Sequence, residues 1–207
     1  AKERGHIVNC ISSSKKPAHT LDLSHSDVAI EFSTPISALT NITHAINSHI
    51  PIISGTTGWL EKLKEVEELC KRKQGAFLFS SNFSLGMNIF FELNKTLAKL
   101  MKNQTYERTI NEIHHTEKLD TPSGTAKELR KQIDITLENN TTINSERIAG
   151  EIGTHTVQYL SLIDEIKIKH IAKNRDGFAM GAIIAAEWII GKKGFFKMEN
   201  VLADQEI

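Results

Sequence analysis

"IPIISGTTGWLEKLKEVEELCKRKQGAFLFSS", residues 50–81, decides the fold. It opens with a short apolar run around Ile52 and Ile53 that breaks at Gly55. Leu60, Leu63, Val66 and Cys70 then recur at helical spacing, and Gly75 is placed to close that helix. "AFLFSS" is a second apolar run of strand length. Strand, helix and strand in this order make a βαβ unit, whose strands run parallel. One repeat upstream, "DVAIEFS" (27–33) reads as a strand and "PISALTNITHAINSH" (35–49) as a helix with Pro35 in its first turn. Ligands of such sheets bind in the loops at the carboxyl ends of the strands.

Further out the pattern changes. "AKERGH" reads as a helix end stopped by Gly5, and "IVNCIS" (7–12) as a strand. Beyond "NFSLGMN", the segment "IFFELNKTLAKLMKN" predicts an amphipathic helix with Ile89, Leu93, Leu97 and Leu100 on its buried face. "ERTINEIHH" predicts a strand and "TAKELRKQIDITLEN" (125–139) a helix. "GTHTVQYLSL" and "DEIKIKHIAK" alternate as an antiparallel pair would, and "FAMGAIIAAEWIIG" predicts a largely buried helix. The fold class is therefore α/β. A Rossmann-like unit over residues 1–84 and 175–207 is expected, with an α+β unit holding a mixed sheet over 85–174.

Composition narrows the function. Among 207 residues, 25 Lys and Arg balance 25 Asp and Glu, which argues against a nucleic-acid partner. Two cysteines, Cys10 and Cys70, make neither a disulfide framework nor a zinc pattern, and a cytoplasmic setting is expected. No apolar run reaches the length of a membrane span, and no secretory signal pattern is present at the start.

"EIHHTEKLDTPSGTA", residues 112–126, concentrates the chemistry. On a strand, Glu112 and His114 share one face and His115 takes the other. Adjacent histidines do not readily chelate one ion, so no metal is expected. His titrates near neutrality and suits proton transfer, and Lys118 adds a cation and a second acid. "TPSGTA" then opens a helix whose free N–H groups suit a carboxylate. Capping by Ser123 is the structural reading of the same residues, and the two are compatible. The G-x-S-x-G frame of a serine hydrolase is absent.

This stretch resembles the signature of the 4-hydroxy-tetrahydrodipicolinate (dihydrodipicolinate) reductases, and "EFSTP", "SGTTGW", "SNFSLGMN" and "RDGFAMGAIIAAEWIIGKKGFF" resemble further family segments in the family's order. The resemblance covers nearly the whole chain. It implies NAD(P)H-dependent reduction in the diaminopimelate route to lysine, with NADPH or NADH as cofactor. It implies His114 as acid/base catalyst and Lys118 as proton donor. It implies His115, Ser123, Gly124, Thr125 and Arg175 as contacts for a small cyclic dicarboxylate. Phe32, Ser33, Thr34, Gly55, Thr56, Thr57, Ser81, Asn82 and Phe83 would border the cofactor. It also implies a homotetramer assembled through the second unit, for which strands such as "HTVQYLSL" would supply apolar faces.

One departure stands out. The family's first strand and glycine-rich loop are not in this sequence, so the nucleotide unit is expected to lack about thirty N-terminal residues. The next strand of such folds often ends in an acid for the ribose. Here "NCISSSKK" offers serines, then Lys15 and Lys16, which would suit a 2′-phosphate. Two classes stay open: a reductase, and a non-catalytic relative that binds a dicarboxylate or only assembles.

Overall fold

The computed structural model describes residues 1–138 and 141–204. In chain order the elements are β1 (Ala29–Glu31), α1 (Pro35–Asn47), β2 (Ile52–Ser54), α2 (Leu63–Lys73), β3 (Ala76–Phe79), α3 (Leu85–Leu100) and β4 (Glu107–His114). There follow α4 (Gly124–Leu137), β5 (Thr142–Arg147), β6 (Gly153–Leu160), β7 (Glu165–Ala172), α5 (Asp176–Ile189), β8 (Gly194–Phe196) and α6 (Met198–Ala203). The chain divides into two compact units, Ala1–Ser84 with the segment from Phe178 on, and Leu85–Gly177. The end of the helix read over 125–139 and the last residues of the expected first domain, 205–207, lie outside the described residues.

The first unit is a parallel sheet of order β1-β2-β3-β8. The βαβ reading of residues 50–81 therefore holds. Ile42, Ile46, Ile52, Trp59, Val66, Cys70 and Phe77 fill its core beneath α1 and α2. Burying each large side chain contributes about 1.5–3 kcal/mol relative to leaving it in water. Two local expectations are corrected. Residues 7–12 form no strand and Ile7 and Ile11 are exposed: β-propensity without a neighbouring ladder leaves N–H and C=O groups unpaired. And α2 is closed by Gln74, in a left-handed conformation at φ 50°, while the following Gly75 N–H donates to the Cys70 carbonyl at 2.9 Å.

The second unit is a mixed sheet of order β5-β4-β6-β7, with β4 and β5 parallel and the other pairs antiparallel. Its core joins Ile110, Val157 and Tyr159 of the sheet to Met87, Phe90 and Ala98 of α3 and Ala126, Leu129 and Ile133 of α4. Of the predicted face of α3 only Leu97 packs against this core, while Ile89, Leu93 and Leu100 are exposed. The true stripe runs through Asn94, whose Nδ2 donates to the Leu129 carbonyl and to Gln132 Oε1. The two bonds from Nδ2 tie α3 to α4, which a leucine at this position could not do. The reading of "HTVQYLSL" is corrected likewise. Val157 and Tyr159 are consumed by this core, and the opposite face of β6 carries Thr154, Thr156 and Gln158 with Leu160 as its one exposed apolar residue. Among the described residues, no helix is long and apolar enough to cross a membrane.

Candidate active site

In the first unit, the three loops at the carboxyl ends of β1, β2 and β3 hold Phe32, Ser33, Thr34, Gly55, Thr56, Thr57, Ser81, Asn82 and Phe83, while Lys15 and Lys16 lie in an exposed turn before β1. Glu31 organises these loops. Its buried carboxylate accepts from Ser33 N at 2.9 Å, Ser54 Oγ at 2.6 Å and Thr56 Oγ1 at 3.0 Å, and from the Ser33 hydroxyl. Ser33 N also donates to Thr56 Oγ1 at 2.8 Å. Thr56 is therefore a buried brace between loops. Phe83 is buried too and packs on Phe32 with ring centres 5.3 Å apart. Ser33, Thr34, Thr57 and Ser81 are exposed, with Gly55 and Asn82 half-buried. Thr34 is the N-cap of α1 without a side-chain cap bond; its carbonyl takes the N–H groups of Ser37 and Ala38 and Pro35 has none, so of the first turn only the Ile36 N–H is not taken up by Thr34. A Cβ at Gly55 would stand 2.1 Å from a Phe32 ring atom, which accounts for the glycine. Close backbone approach, exposed hydroxyls and a helix N-terminus are a donor set that fits a dinucleotide.

The second unit holds the proton-handling residues. β4 runs Glu112 and His114 along its helix-facing side, as period two requires. Glu112 Oε2 lies 2.6 Å from His114 Nδ1, at an angle short of a well-aligned hydrogen bond. Burial opposes ionisation of Glu112. The Ser145 hydroxyl beside it across β4–β5, the bond donated by Ser123 N and the nearby His114 outweigh that and hold its carboxyl down at about 2. Burial pushes His114 below its ordinary value; the Glu112 carboxylate pulls it back up, while Lys118 and Arg147 push it further down.

Ser123 caps α4 as expected, its hydroxyl accepting from Ala126 N at 3.2 Å while its own N–H donates to Glu112 Oε1 at 3.1 Å. Gly124 N donates to Asp120, and Lys118 pairs with Asp120 at 2.6 Å, which lowers the Asp120 carboxyl. His114, Lys118, Ser123 and Gly124 are thus brought together, with Thr125 half-buried in the first turn of α4. His115 is half-buried just past the end of β4. Arg175 stands exposed between β7 and α5, outside this hydrogen-bonded group.

Two residues escaped the sequence reading. Arg147, at the end of β5, donates to Glu112 Oε1 at 3.1 Å and to the Asp120 carbonyl at 2.6 Å. His155, on β6, is paired with Glu112 in the register and stacks edge-on to His114 with ring centres 4.9 Å apart. Burial, then the neighbouring His114, drives it down to about 3. Neither lies near the signature in sequence; only strand register would have found them. Glu112, His114 and His155 bring one ligand atom each within 4.8 Å of the others. The sequence argument against a metal weighed only His114 with His115, and the structure supplies His155 as a second imidazole. Yet the 2.6 Å between carboxylate and Nδ1 is a hydrogen-bond separation. Two ligands on one tetrahedral zinc stand about 3.3 Å apart.

Fold and site together define a class: α/β proteins in which a Rossmann-like unit is followed by a mixed-sheet unit carrying a histidine–lysine centre. Two family descriptions match the chain, "Dihydrodipicolinate reductase, N-terminus" over residues 3–83 and "Dihydrodipicolinate reductase, C-terminus" over residues 86–202. The 4-hydroxy-tetrahydrodipicolinate reductase of Christiangramia forsetii is 47% identical over 199 residues, covering 90% of this chain and 83% of that protein. The enzyme of the same name from Aquifex aeolicus is 36% identical, covering 87% and 74%. Among solved structures, dipicolinate-bound dihydrodipicolinate reductase from Paenisporosarcina sp. TG-14 superposes with a TM-score of 0.71 at 22% identity, covering 84% of this chain and 73% of that one, and so shares the fold. The chain belongs to the dihydrodipicolinate reductase family.

Proposed function

We propose that this chain reduces 4-hydroxy-tetrahydrodipicolinate to tetrahydrodipicolinate in the diaminopimelate route to lysine. The observation that carries the reading is the grouping of His114, Glu112 and Lys118 beside the Ser123-capped start of α4, in a chain whose relatives are reductases of that name. The substrate's hydroxyl leaves as water and a hydrogen takes its place, so each turnover consumes one hydride and one proton. A reduced nicotinamide nucleotide, NADPH or NADH, supplies the hydride when bound. Ser33, Thr34, Gly55 and Thr57, with Ser81 and Asn82, would hold it on the first unit, and Phe32 and Phe83 would shape the loop beneath it.

The protein's own residues handle the rest. Backbone N–H groups at Gly124 and Thr125, with the α4 dipole behind them, would hold one carboxylate. His115 and Arg175 would serve the other parts of the diacid. In the ligand-free protein His114 favours its neutral form. Two substrate carboxylates beside it would raise its pKa, converting it to an acid when substrate is present. Lys118, steadied by Asp120 at 2.6 Å, would deliver the proton to the ring. Assembly as a homotetramer through the second unit accompanies this reading. The β6 face carrying Gln158 and the exposed Leu160 would meet a neighbouring subunit.

The test is turnover of His114→Gln and Lys118→Ala with nucleotide affinity measured alongside. Each should lose orders of magnitude in kcat while binding NADPH or NADH nearly as before. Near-normal turnover in either would remove that residue from the chemistry.

A further inference from the structure

Arg147 makes more connections than any other side chain around this centre. From the last position of β5 its Nη2 donates to Glu112 Oε1 at 3.1 Å, to the Asp120 carbonyl at 2.6 Å and to Thr121 Oγ1 at 3.0 Å. Its Nε reaches the Lys118 carbonyl at 3.3 Å, and Nη1 reaches the Glu146 carbonyl at 2.7 Å. Its side chain is 18% exposed, while its partner Glu112 is wholly buried. Beyond the Glu146 carbonyl of its own strand there are four acceptors, and three of them belong to the loop between β4 and α4, the loop that carries Lys118. The fourth, Glu112, is the carboxylate against His114 Nδ1. A planar guanidinium reaches divergent acceptors at once, and an ammonium cannot.

We propose that Arg147 is the positioning residue of the centre: it fastens the backbone that carries Lys118 to the carboxylate that holds His114, so that the two proton-handling groups keep one spacing. This rests on the roles assigned above to His114 and Lys118. The loop has little other anchorage at this point. Leu119, Asp120 and Thr121 are exposed, and Lys118 is secured through Asp120, a residue of the same loop. Tethering to β5 makes the loop's position a property of the sheet. Ser123 N, which also donates to Glu112 Oε1, shares the acceptor and ends the tethered segment at the cap of α4.

The charged and titratable groups around His114 are Glu112 on its own strand, Lys118 with Asp120 on the loop, Arg147 on β5 and His155 on β6, with His170 of β7 acting on His155. Removing the Arg147 cation raises the His114 pKa, since that cation opposes protonation. Replacing it with another cation restores the titration but not the tether.

The experiment compares Arg147→Met and Arg147→Lys in the full chain. Three quantities are read: the His114 ring titration by NMR without ligand, amide hydrogen exchange at Ser123, and kcat with nucleotide KM. In Arg147→Met we expect the His114 titration to move up, Ser123 exchange to accelerate and kcat to fall about a hundredfold, as for a displacement near 1 Å. Nucleotide KM should stay within about twofold, because those loops lie in the other unit. In Arg147→Lys the titration should return toward wild type, while Ser123 exchange stays fast and kcat stays low. Wild-type kcat in Arg147→Lys, or wild-type Ser123 exchange in both variants, overturns the proposal. Should Arg147→Met not fold, the Lys variant's exchange and turnover decide alone. Should the wild-type chain not reduce the substrate, the assignment of function fails, and the exchange and titration readouts still decide whether Arg147 tethers the loop.

Discussion

Gly153→Ala tests the placement of His114 without touching a polar group. Gly153 opens β6 where that strand runs beside the end of β4. Its backbone is not in the left-handed region, so alanine adopts it without strain. A Cβ there would stand 3.2 Å from both Nε2 and Cδ2 of His114. Comfortable contact needs about 3.5–4.0 Å, so the ring must retreat by about 0.3–0.8 Å. The ring cannot retreat freely, since Glu112 Oε2 stands 2.6 Å from Nδ1 and His155 stacks edge-on at 4.9 Å. If about 1 Å of misplacement costs two orders of magnitude, turnover should fall by about 4- to 40-fold. Stability should barely change, because replacing glycine inside a strand gains about 0.5–1 kcal/mol that offsets the contact. The assay is kcat and nucleotide KM beside a thermal melt. Wild-type kcat would refute the claim that His114's position limits the reaction. A large fall in melting temperature would show the contact acting on the fold instead.

Two further outcomes follow from buried groups. His155 sits at about 3 in the folded chain against an ordinary 6.5, so below pH 6.5 the unfolded chain takes up a proton that the folded chain refuses. Stability is therefore lost as pH falls from 6.5 toward 3, by about 2 kcal/mol at pH 5, with Glu112 adding to the loss below 4.5. Denaturant midpoints against pH should show this slope in wild type and a flatter one in His155→Gln; equal slopes would contradict it. Tyr159 is fully buried, its hydroxyl has no hydrogen-bond partner among the described residues, and burial pushes it up to about 12. Tyr159→Phe should therefore be neutral or stabilising by up to about 1 kcal/mol, and a clear loss in a chemical melt would reveal a partner for the hydroxyl.

The parallel unit was legible because apolar runs of strand length alternate with helical periodicity over residues 27–81, and both signals are local. The signature at 112–126 was legible for the same reason: Glu112, His114, Lys118 and Ser123 are close along the chain, and strand pairing brings them closer. What escaped depends on pairing between distant segments. β5, "TINSER", is a polar run whose hydroxyl and guanidinium matter only once it lies parallel to β4. His155 alternates among threonines and reads as an ordinary strand residue until the register sets it opposite Glu112. The α3 error has the same origin. Counting leucines chose Leu93 over Asn94, and only the carbonyl of Leu129 on α4 shows why the amide is inside. Residues 7–12 failed in the opposite sense: their composition suits a strand, but no strand is paired with them among the described residues.

The most direct test of the proposed reaction uses reduced nicotinamide nucleotide deuterated at the hydride-donating carbon. The chain is incubated with it and 4-hydroxy-tetrahydrodipicolinate, and the product is examined by NMR. One deuterium at the ring carbon that carried the hydroxyl, delivered by the wild-type chain and not by His114→Gln, is the predicted result. Nucleotide left unoxidised, or product formed without the label, would contradict the account.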